Sequence, residues 1–419
     1  MFNGHLDTNP VTEGWTVDPW GGLVDDKFIY GIGVSNMKAG DAAYFCALRT
    51  LVEAGVKLKG DVILTFVVGE LQGGVGTLAF IDKGLRADYF VNSEGTIVRQ
   101  GHTTATVGIN GSTQAPDGMR LSRNPFWTEA RAEDLPSHDA LVQETTKMLD
   151  SLTALREAPI AEESYRGPVL FAPDAADDIV AGLIGGNLLG RKPQLGRPNR
   201  TTGAFATSYK TRVLPKFVSV VDDPTLKQFQ GKNLVGSYEI DSDGVKAQQV
   251  ALVGDGLLQN YLVGRQPIRD FPASNGHGRA VPGSSPQPGV GTLIVKSAEP
   301  ETAQALKEKL MQMASEQSKP YGYRVETLGP ANLPRLLYRV YVSDGHEELV
   351  RGAMFNELDV RALRNDVIAL GDDPLVSNRM TALPQTIIAP SILFDELEVK
   401  RADTTKEKLP EYPAPPLKK

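Results

Sequence analysis

Gly167-Pro168-Val169-Leu170-Phe171 is the stretch that most constrains the fold of this 419-residue chain. Its apolar residues form a short run behind Gly and Pro, as in a buried strand. The segment that follows has the pattern of a helix up to about Leu189, and Asp174 stands where a helix-capping residue belongs. We therefore predict a strand over residues 168–171 and a helix directly after it.

The residues before this stretch combine a strand, a long loop and a helix. Residues 104–110 alternate between apolar and polar side chains, which predicts a strand. Residues 112–136 are polar and contain three prolines, which predicts a loop. Ser137 is placed to cap a helix that runs to about Glu157 with apolar side chains on one face. Residues 89–165 are thus predicted to form a smaller region ahead of the main domain.

From Val213 onward the chain is rich in strand patterns, with hairpin-type turns such as Asp243-Gly244. One amphipathic helix is predicted over residues 300–317. This mixture predicts an α+β, strand-rich domain over residues 166–410. The Pro-rich tail over residues 411–419 is predicted either to dock in an extended form or to fray.

Residues 1–88 have the pattern of an α/β unit, because strand-like and helix-like segments alternate along them. Such alternation predicts a parallel-type sheet with helices packed against it. The predicted strands of this region and its C-terminal border are 27–32, 61–68 and 89–92, and the predicted helices are 39–54 and 75–83.

The composition narrows the classes of partner. The formal net charge is −7, from 44 basic and 51 acidic residues, so we expect no nucleic-acid partner and no anionic membrane partner. No run of 18 apolar residues is present, so no membrane span is predicted. The single cysteine, Cys46, excludes an intrachain disulfide and favours a cytoplasmic location. The chain opens inside a motif, so an upstream segment could be missing.

Several short motifs occur in order in the N-terminal region. They include Gly4-His5-Leu6-Asp7-Thr8, Asp18-Pro19-Trp20-Gly21-Gly22, Asn36-Met37-Lys38-Ala39-Gly40 and Gly69-Glu70-Leu71-Gln72-Gly73-Gly74. With these motifs, residues 3–88 resemble a fragment of the dinuclear-zinc family of amide hydrolases that includes aminoacylase, acetylornithine deacetylase and glutamate carboxypeptidase. In such sites two zinc ions activate a bridging water and polarise the scissile carbonyl.

This resemblance implies roles for four side chains. His5 would be a zinc ligand, and Asp7 would orient its imidazole. Glu70 would be the general base, and Glu94 would stand where the family often has a carboxylate ligand. The substrate would be a peptide or an N-acyl amino acid.

Two positions depart from the family pattern. Asn36 stands where the family has an aspartate that bridges both metals, and a neutral amide bridges two cations poorly. Leu71 stands where the family has a second glutamate, and it cannot bind a metal. We therefore interpret the metal set His5, Asn36 and Glu94 as degenerate, with zinc implied by the resemblance only and not expected to bind stoichiometrically. The alternative is that His5 and Asp7 form a hydrogen-bonded pair at a strand end.

A second set of ordered motifs begins near Tyr89. It comprises Phe90-Val91-Asn92-Ser93-Glu94-Gly95-Thr96, Gly167-Pro168-Val169-Leu170-Phe171, Val213-Leu214-Pro215, Val220-Val221-Asp222-Asp223-Pro224, Gly236-Ser237-Tyr238-Glu239 and Ser274-Asn275-Gly276-His277-Gly278-Arg279. With these, residues 89–410 resemble the TldD/TldE (PmbA) family of peptidases, also called modulators of DNA gyrase. The resemblance implies a role in proteolysis or peptide processing.

Active TldD proteins carry a His-Glu-x-x-x-His helix after the Gly-Pro-Val-Leu-Phe strand and a cysteine ligand near the C-terminus. Here residues 181–186 read Ala-Gly-Leu-Ile-Gly-Gly, and no cysteine follows Cys46. This half therefore resembles TldE-type subunits, which pair with a TldD subunit that brings the metal. Asn275, His277 and Arg279 are the candidates for binding substrate, because a Gly-flanked imidazole beside an amide and a guanidinium could line a peptide groove. The alternative is a Gly-rich turn in which His277 bonds locally.

Three functions are left open by the sequence. The first is a hydrolase of the peptidase class with both metal sites degraded, weak or inactive as an isolated chain. The second is a non-catalytic TldE-like subunit that binds peptide and pairs with a zinc-bearing TldD-type partner, or forms a homo-oligomer. The third is a fusion open reading frame, joined near Tyr89, that has no evolved activity.

Overall fold

The computed structural model describes residues 1–70, 72–92, 101, 103–161, 164–193, 196, 198, 202–281 and 284–402. The predicted Pro-rich tail lies outside the described residues. The chain divides into two compact units, residues 1–99 and residues 100–419. The finer boundaries predicted at residues 88 and 165 stay predictions.

The first unit contains a three-stranded sheet whose neighbouring strands run parallel. Its strands are β1 Phe2–His5, β2 Leu64–Val67 and β3 Val91–Asn92, in the order β2-β1-β3. Its helices, α1 Ala39–Glu53 and α2 Val75–Asp82, lie in the two connections between these strands. Parallel neighbours need such crossover connections, so the chain order explains the sheet.

The predicted strand over residues 27–32 is wrong. Val24 and Ile29 form a single bridge, and no strand extends from it. The reason is local, because Asp25 Oδ1 accepts hydrogen bonds from the backbone nitrogens of Lys27 and Phe28, both at 2.7 Å. An Asp side chain that bonds its own following backbone favours a turn over a strand.

The first unit has few buried apolar side chains. Among its described residues, the buried hydrophobic side chains are those of Met37 and Val67. Trp20 is 68% exposed, Val52 76% and Tyr89 83%, and other large apolar side chains are exposed beside them. A small sheet with so little buried apolar surface gains little stability from the hydrophobic effect.

The second unit is rich in strands and has four α-helices among its described residues. The helices are α3 His138–Glu157, α4 Pro173–Ile179, α5 Ala303–Glu316 and α6 Val360–Asn365. The strands are β4 Ala105–Gly108, β5 Gly111–Gln114, β6 Arg120–Arg123, β7 Phe126–Glu129, β8 Ser164–Phe171, β9 Val218–Asp222, β10 Gln228–Phe229, β11 Lys232–Asn233, β12 Val250–Gly254, β13 Leu257–Leu258, β14 Gly278–Arg279, β15 Gln287–Pro288, β16 Thr292–Ser297, β17 Tyr321–Leu328, β18 Pro334–Tyr341, β19 Glu347–Val350, β20 Ala353–Phe355, β21 Val367–Leu370, β22 Leu375–Met380, β23 Pro384–Ala389 and β24 Ile392–Arg401.

Two mixed sheets form the body of this unit. One has six strands in the order β13-β12-β9-β16-β23-β22. The other has seven, in the order β19-β18-β17-β8-β24-β20, with β21 also paired to β24. Helix α4 contacts β8 and β17 of the second sheet and β22 and β23 of the first, so it lies between the two sheets. The α+β, strand-rich domain predicted from the sequence agrees with this architecture.

Strand β8 is buried on both faces, which explains its unbroken apolar sequence. Val169 and Phe171 belong to the main core between the two sheets. Leu170 points the other way and packs with Leu306 and Leu310 of α5. Successive side chains of a strand point to opposite faces, so this one short run joins two separate cores.

The predicted loop over residues 112–136 is also wrong, because most of it forms hairpins. Strand β5 pairs with β6, and β4 pairs with β7, both antiparallel. Helix α3 packs on the first pair through Met148, Leu152 and Leu155. The predicted cap is confirmed, since Ser137 Oγ accepts a hydrogen bond from the backbone nitrogen of Ala140 at 3.3 Å.

The helix predicted after β8 is present, but it is shorter and its cap differs. It begins at Pro173, where proline is tolerated in the first turn, and Ala172 occupies the cap position without a side-chain bond. The chain then continues through a π-helical turn, Val180–Ile184, and a 3₁₀ turn, Gly185–Asn187. Within the described residues, no helix is both long and apolar enough to cross a membrane.

Candidate functional site

The predicted N-terminal site residues come together at the carboxyl ends of β1 and β2. His5 ends β1 and is 2% exposed. Its Nε2 lies 3.0 Å from Oδ1 of Asn36, which precedes α1, and its Nδ1 lies 2.9 Å from the carbonyl oxygen of Asp7. The carboxyl edge of a parallel sheet is where α/β folds collect site residues, so the motif order places these groups together.

Two carboxylates flank this imidazole. Asp7 Oδ1 lies 3.2 Å from His5 Nδ1, and Asp7 Oδ2 accepts a hydrogen bond from the backbone nitrogen of Glu70 at 3.1 Å. Glu70 Oε2 lies 3.9 Å from His5 Nε2. Burial opposes the imidazolium form, but the hydrogen bonds to Asn36 and to the Asp7 backbone and the charges of Glu70 and Asp7 together raise the pKa of His5. The arrangement can hold a proton on this imidazole.

Asp41 is a neighbour of this cluster that the sequence prediction missed. It lies in the first turn of α1, is 7% exposed, and neither of its carboxylate oxygens has a hydrogen-bond partner. Its Oδ1 packs so closely on β1 that a Cβ atom added to Gly4 would lie 1.6 Å from it. Burial raises the pKa of Asp41 despite the nearby charges of His5 and Lys38. An acidic residue among the apolar positions of a predicted helix was the available signal.

The fit of zinc to this cluster can be judged from its donors. His5 supplies one imidazole nitrogen and Asn36 a neutral amide oxygen, while Glu94 and Leu71 lie outside the described residues. Among the residues described in both units, no group of three or more His, Cys, Asp and Glu side chains is arranged to hold a metal ion. Structural and catalytic zinc sites use three or four such ligands, so the described residues do not fit zinc.

The second set of predicted residues also comes together, but inside the second unit. His277 has no exposed surface; its Nδ1 lies 2.9 Å from the backbone oxygen of Asn275, and its Nε2 lies 3.2 Å from Oδ1 of Asp222. Asp222, also fully buried, accepts hydrogen bonds from the backbone nitrogens of Gly291 and Thr292 at 3.1 and 3.0 Å. His277 is therefore part of a network that joins the end of β9 to the start of β16.

Asn275 and Arg279 extend the same internal network. The Asn275 amide donates to the carbonyl of Tyr261 at 2.7 Å and accepts from the backbone nitrogen of Val263 at 2.8 Å. Arg279 is 8% exposed, donates to the carbonyls of Val290 and Pro384, and its guanidinium lies 4.4 Å from the centre of the Tyr238 ring. These contacts hold a Gly-rich segment in place, and the substrate-binding role of the three residues stays a prediction.

Two further charged groups were missed, because their partners are distant in sequence. Asp177 of α4 has no exposed surface, and Arg379 of β22 donates to it and to Asp178. Burial raises the pKa of Asp177 to about 7, against the opposing effect of Arg379. This ion pair ties α4 to the edge strand of the six-stranded sheet.

The family model described as PmbA/TldA metallopeptidase C-terminal domain matches residues 164–401. This range begins with the first residue of β8 and ends with the last residue of β24, so it contains both large sheets. A modulator of a DNA gyrase from Thermotoga maritima resembles the chain with a TM-score of 0.50 and 16% identity, covering 70% of this chain and 62% of that one. At this identity the likeness shows the fold alone.

Curated proteins match the chain over shorter stretches. The N-formyl-4-amino-5-aminomethyl-2-methylpyrimidine deformylase of Bacillus subtilis (strain 168) is 35% identical over 126 residues, which are 29% of this chain and 30% of that protein. Aminoacylase-1 of Sus scrofa is 28% identical over 170 residues, which are 38% of each. The chain thus spans well under half the length of these relatives. Both predicted resemblances are confirmed by these matches.

Proposed function

Because the chain belongs to the PmbA/TldD metallopeptidase family through residues 164–401, we propose that it acts in peptide processing as a subunit that binds peptide. In this proposal it holds no zinc of its own and pairs with a second subunit that carries the His-Glu-x-x-x-His helix. The second unit supplies the fold of the peptidase domain, and the partner supplies the metal.

The observation that carries this proposal is the chemistry of the segment after β8. Residues 181–186, where the zinc-binding motif of active members would fall, offer only alanine, glycine, leucine and isoleucine side chains. The acidic residues nearest in the helix, Asp177 and Asp178, both bind Arg379. A donor set of this kind does not fit zinc, and we derive no hydrolytic step through a metal here.

The test combines metal analysis with reconstitution. We expect the purified chain to contain substoichiometric zinc and to leave a test peptide intact. Mixed with a subunit that carries the His-Glu-x-x-x-His helix, it should elute as a complex that cleaves the peptide. The matched control is the same partner with its first motif histidine changed to alanine, which should still bind but not cleave. Stoichiometric zinc and cleavage by the isolated chain would contradict the proposal.

A second candidate function rests on the first unit, because His5, Asp7, Asn36 and Glu70, which the family order predicts together, lie close to one another. Residual hydrolysis of N-acyl amino acids would depend on Glu70 as base. Glu70→Gln should then abolish the activity, while Glu13→Gln, at an exposed position of the same unit, should not change it. Equal rates for the two variants would exclude this candidate.

The hypothesis that the chain is a fusion open reading frame concerns the gene, so it is tested by sequencing DNA. Sequencing of single DNA molecules across residues 80–100 should yield reads that span both sides of Tyr89. Reads that never cross this point would mean that the chain is not a gene product.

A further inference from the structure

A cavity of about 400 Å³ opens in the second unit, and its lining includes neither residues 181–186 nor the residues of the His277 network. Its walls come from β6 and β7, the first turns of α4, the end of β17, the start of β18 and strand β22. Binding sites for small molecules have volumes of this order. Polar and apolar surface contribute about equally to its lining, and its charged groups are Arg123, Glu129, Glu144, Asp174, Asp178, Lys232, Arg335 and Arg379.

Most of these charges are already neutralised within the protein. Lys232 lies 3.0 Å from Glu129, and Arg379 lies 2.7 Å from Asp178. Such pairs satisfy each other and leave little for a ligand to gain. The groups that remain, rather than the cavity volume, decide what the cavity can bind.

Two arginines that line the cavity have no acidic partner among the described residues. Arg123 donates through Nη1 to Thr327 Oγ1 at 2.6 Å, but its Nε is buried and has no hydrogen-bond partner. Arg335 donates through Nη1 to Asn124 Oδ1 at 2.5 Å. Burial lowers the pKa of Arg123, the opposite charge of Asp174 counteracts this without a direct ion pair, and the like charge of Arg335 lowers the pKa further. Two neighbouring guanidiniums that share a cavity, one with an unsatisfied donor, favour an anion between them.

One acid in the cavity is also without an ion pair. Asp174, at the start of α4, is exposed towards the cavity, and its interactions with Arg123 and Arg379 act only at longer range. The cavity thus offers two unpaired cations and one unpaired carboxylate. This charge pattern complements a small zwitterion better than a simple anion.

We propose that this cavity binds the free carboxylate of a short peptide or an N-acyl amino acid. Arg123 and Arg335 receive the carboxylate, because the planar guanidinium matches its two oxygens. When the ligand is a peptide with a free amino group, Asp174 receives the ammonium. The inference requires no zinc-bearing partner, so it can fail while the proposed function stands.

The test is calorimetric titration of the full chain with the dipeptide Ala-Ala, its C-terminal amide and its N-acetyl form. We expect the amide to bind at least about tenfold more weakly than the free acid, since it lacks the charge that the arginines bind. The N-acetyl form should keep the carboxylate contact and lose only the contribution of Asp174. Inorganic phosphate serves as a probe for charge without carboxylate geometry and should bind more weakly than Ala-Ala.

Variants connect the binding to the cavity. Arg335→Leu should weaken Ala-Ala binding at least about tenfold, and the matched control Arg269→Leu, whose side chain is 91% exposed elsewhere in the unit, should not change it. Should Arg335→Leu fail to fold, Arg123→Lys serves instead, because it retains the charge but loses the planar, two-pronged donor geometry of the guanidinium. It should weaken the binding of free-acid Ala-Ala more than the binding of its C-terminal amide. Equal affinity for acid and amide, no saturable binding of either, or unchanged affinity in both variants would overturn the proposal. Equal affinity for free and acetylated peptide would overturn the part assigned to Asp174.

Discussion

Replacing Arg379 with methionine should be among the most destabilising single changes in the second unit. Its guanidinium donates through Nε to Asp177 Oδ2 at 2.8 Å and through Nη2 to Asp178 Oδ1 at 2.7 Å. The Asp177 side chain is 1% exposed, and its other oxygen, Oδ1, has no hydrogen-bond partner. Methionine keeps much of the side-chain volume, so the variant removes the charge and the hydrogen bonds without opening a large cavity.

The expected loss is about 3–5 kcal/mol of unfolding free energy at alkaline pH, the usual cost of leaving one partner of a buried ion pair alone. The loss should depend on pH. Burial raises the pKa of Asp177 from 3.8 to about 7, so its contribution to stability is greatest below pH 4 and declines as the pH rises through 7. Without Arg379 the pKa of Asp177 rises further. Above pH 7 the unfolding free energy of the variant therefore decreases relative to that of the wild type by up to about 1.4 kcal/mol per pH unit.

Tryptophan fluorescence can follow the second unit alone. The chain has three tryptophans, and in a Trp15→Phe/Trp20→Phe background Trp127 of β7 reports only that unit. Urea unfolding at pH 5.5, 7 and 8.5 gives the free energies (~±10–15% by extrapolation).

Two further variants make the measurement specific to the buried pair. Arg361→Met breaks an exposed pair, with Arg361 78% exposed, and should cost far less stability than Arg379→Met, because solvent screens exposed pairs. Adding Asp177→Leu to Arg379→Met should restore most of the loss, because the unpaired charge is gone. A loss below about 1 kcal/mol at pH 8.5, or one that does not change with pH, would refute the reasoning.

Three other expectations follow from single features. Asp41→Leu should stabilise the first unit by about 1–3 kcal/mol, because it removes a buried carboxylate without hydrogen-bond partners. The gain should be larger at pH 7 than at pH 4, since the raised pKa of Asp41 means that its charged form is the one that destabilises the fold. Urea unfolding of the wild type and the variant at both pH values measures the gain. Ser137→Ala and Thr302→Ala each remove a helix-capping bond and should each lower the stability of the second unit by about 1 kcal/mol in thermal unfolding. Duplex DNA should show no mobility shift at sub-micromolar protein, and a salt-sensitive shift would contradict the reading of the net charge of −7.

Periodic, locally determined elements were predicted best. Helix α3 and its Ser137 cap follow from side chains within a few positions of one another, and β8 follows from burial on both faces. The hairpins of residues 111–129 were missed, because four-residue strands among glycines and prolines resemble a loop until their pairing partners are known. The turn at Asp25 was missed for the opposite reason, since a local side-chain bond overrode a strand-like pattern.

The site residues follow the same rule: those marked by local motifs were predicted, and those that meet through distant contacts were missed. His5, Asp7, Asn36 and Glu70 were predicted together because their motifs occur in a family order. The pair of Asp177 with Arg379 spans 202 positions, and no short pattern marks it. Likewise the two arginines of the cavity, Arg123 and Arg335, meet only because β6 contacts β18, which is distant in the sequence.

The space around residues 181–186 shows what kind of change separates this chain from a zinc-binding relative. A Cβ added at Gly182 would meet no atom within 4 Å, and one at Gly186 would meet only the carbonyl oxygen of Ala181, at 3.9 Å. A Cβ at Gly185 would instead lie 3.2 Å from Leu293, inside the core. Side chains placed at 182 and 186 would therefore enter open space, whereas Ala181 already packs against the main core. At these two glycines the backbone leaves room for larger side chains, so the chain differs from the motif there in its side chains and not in its packing.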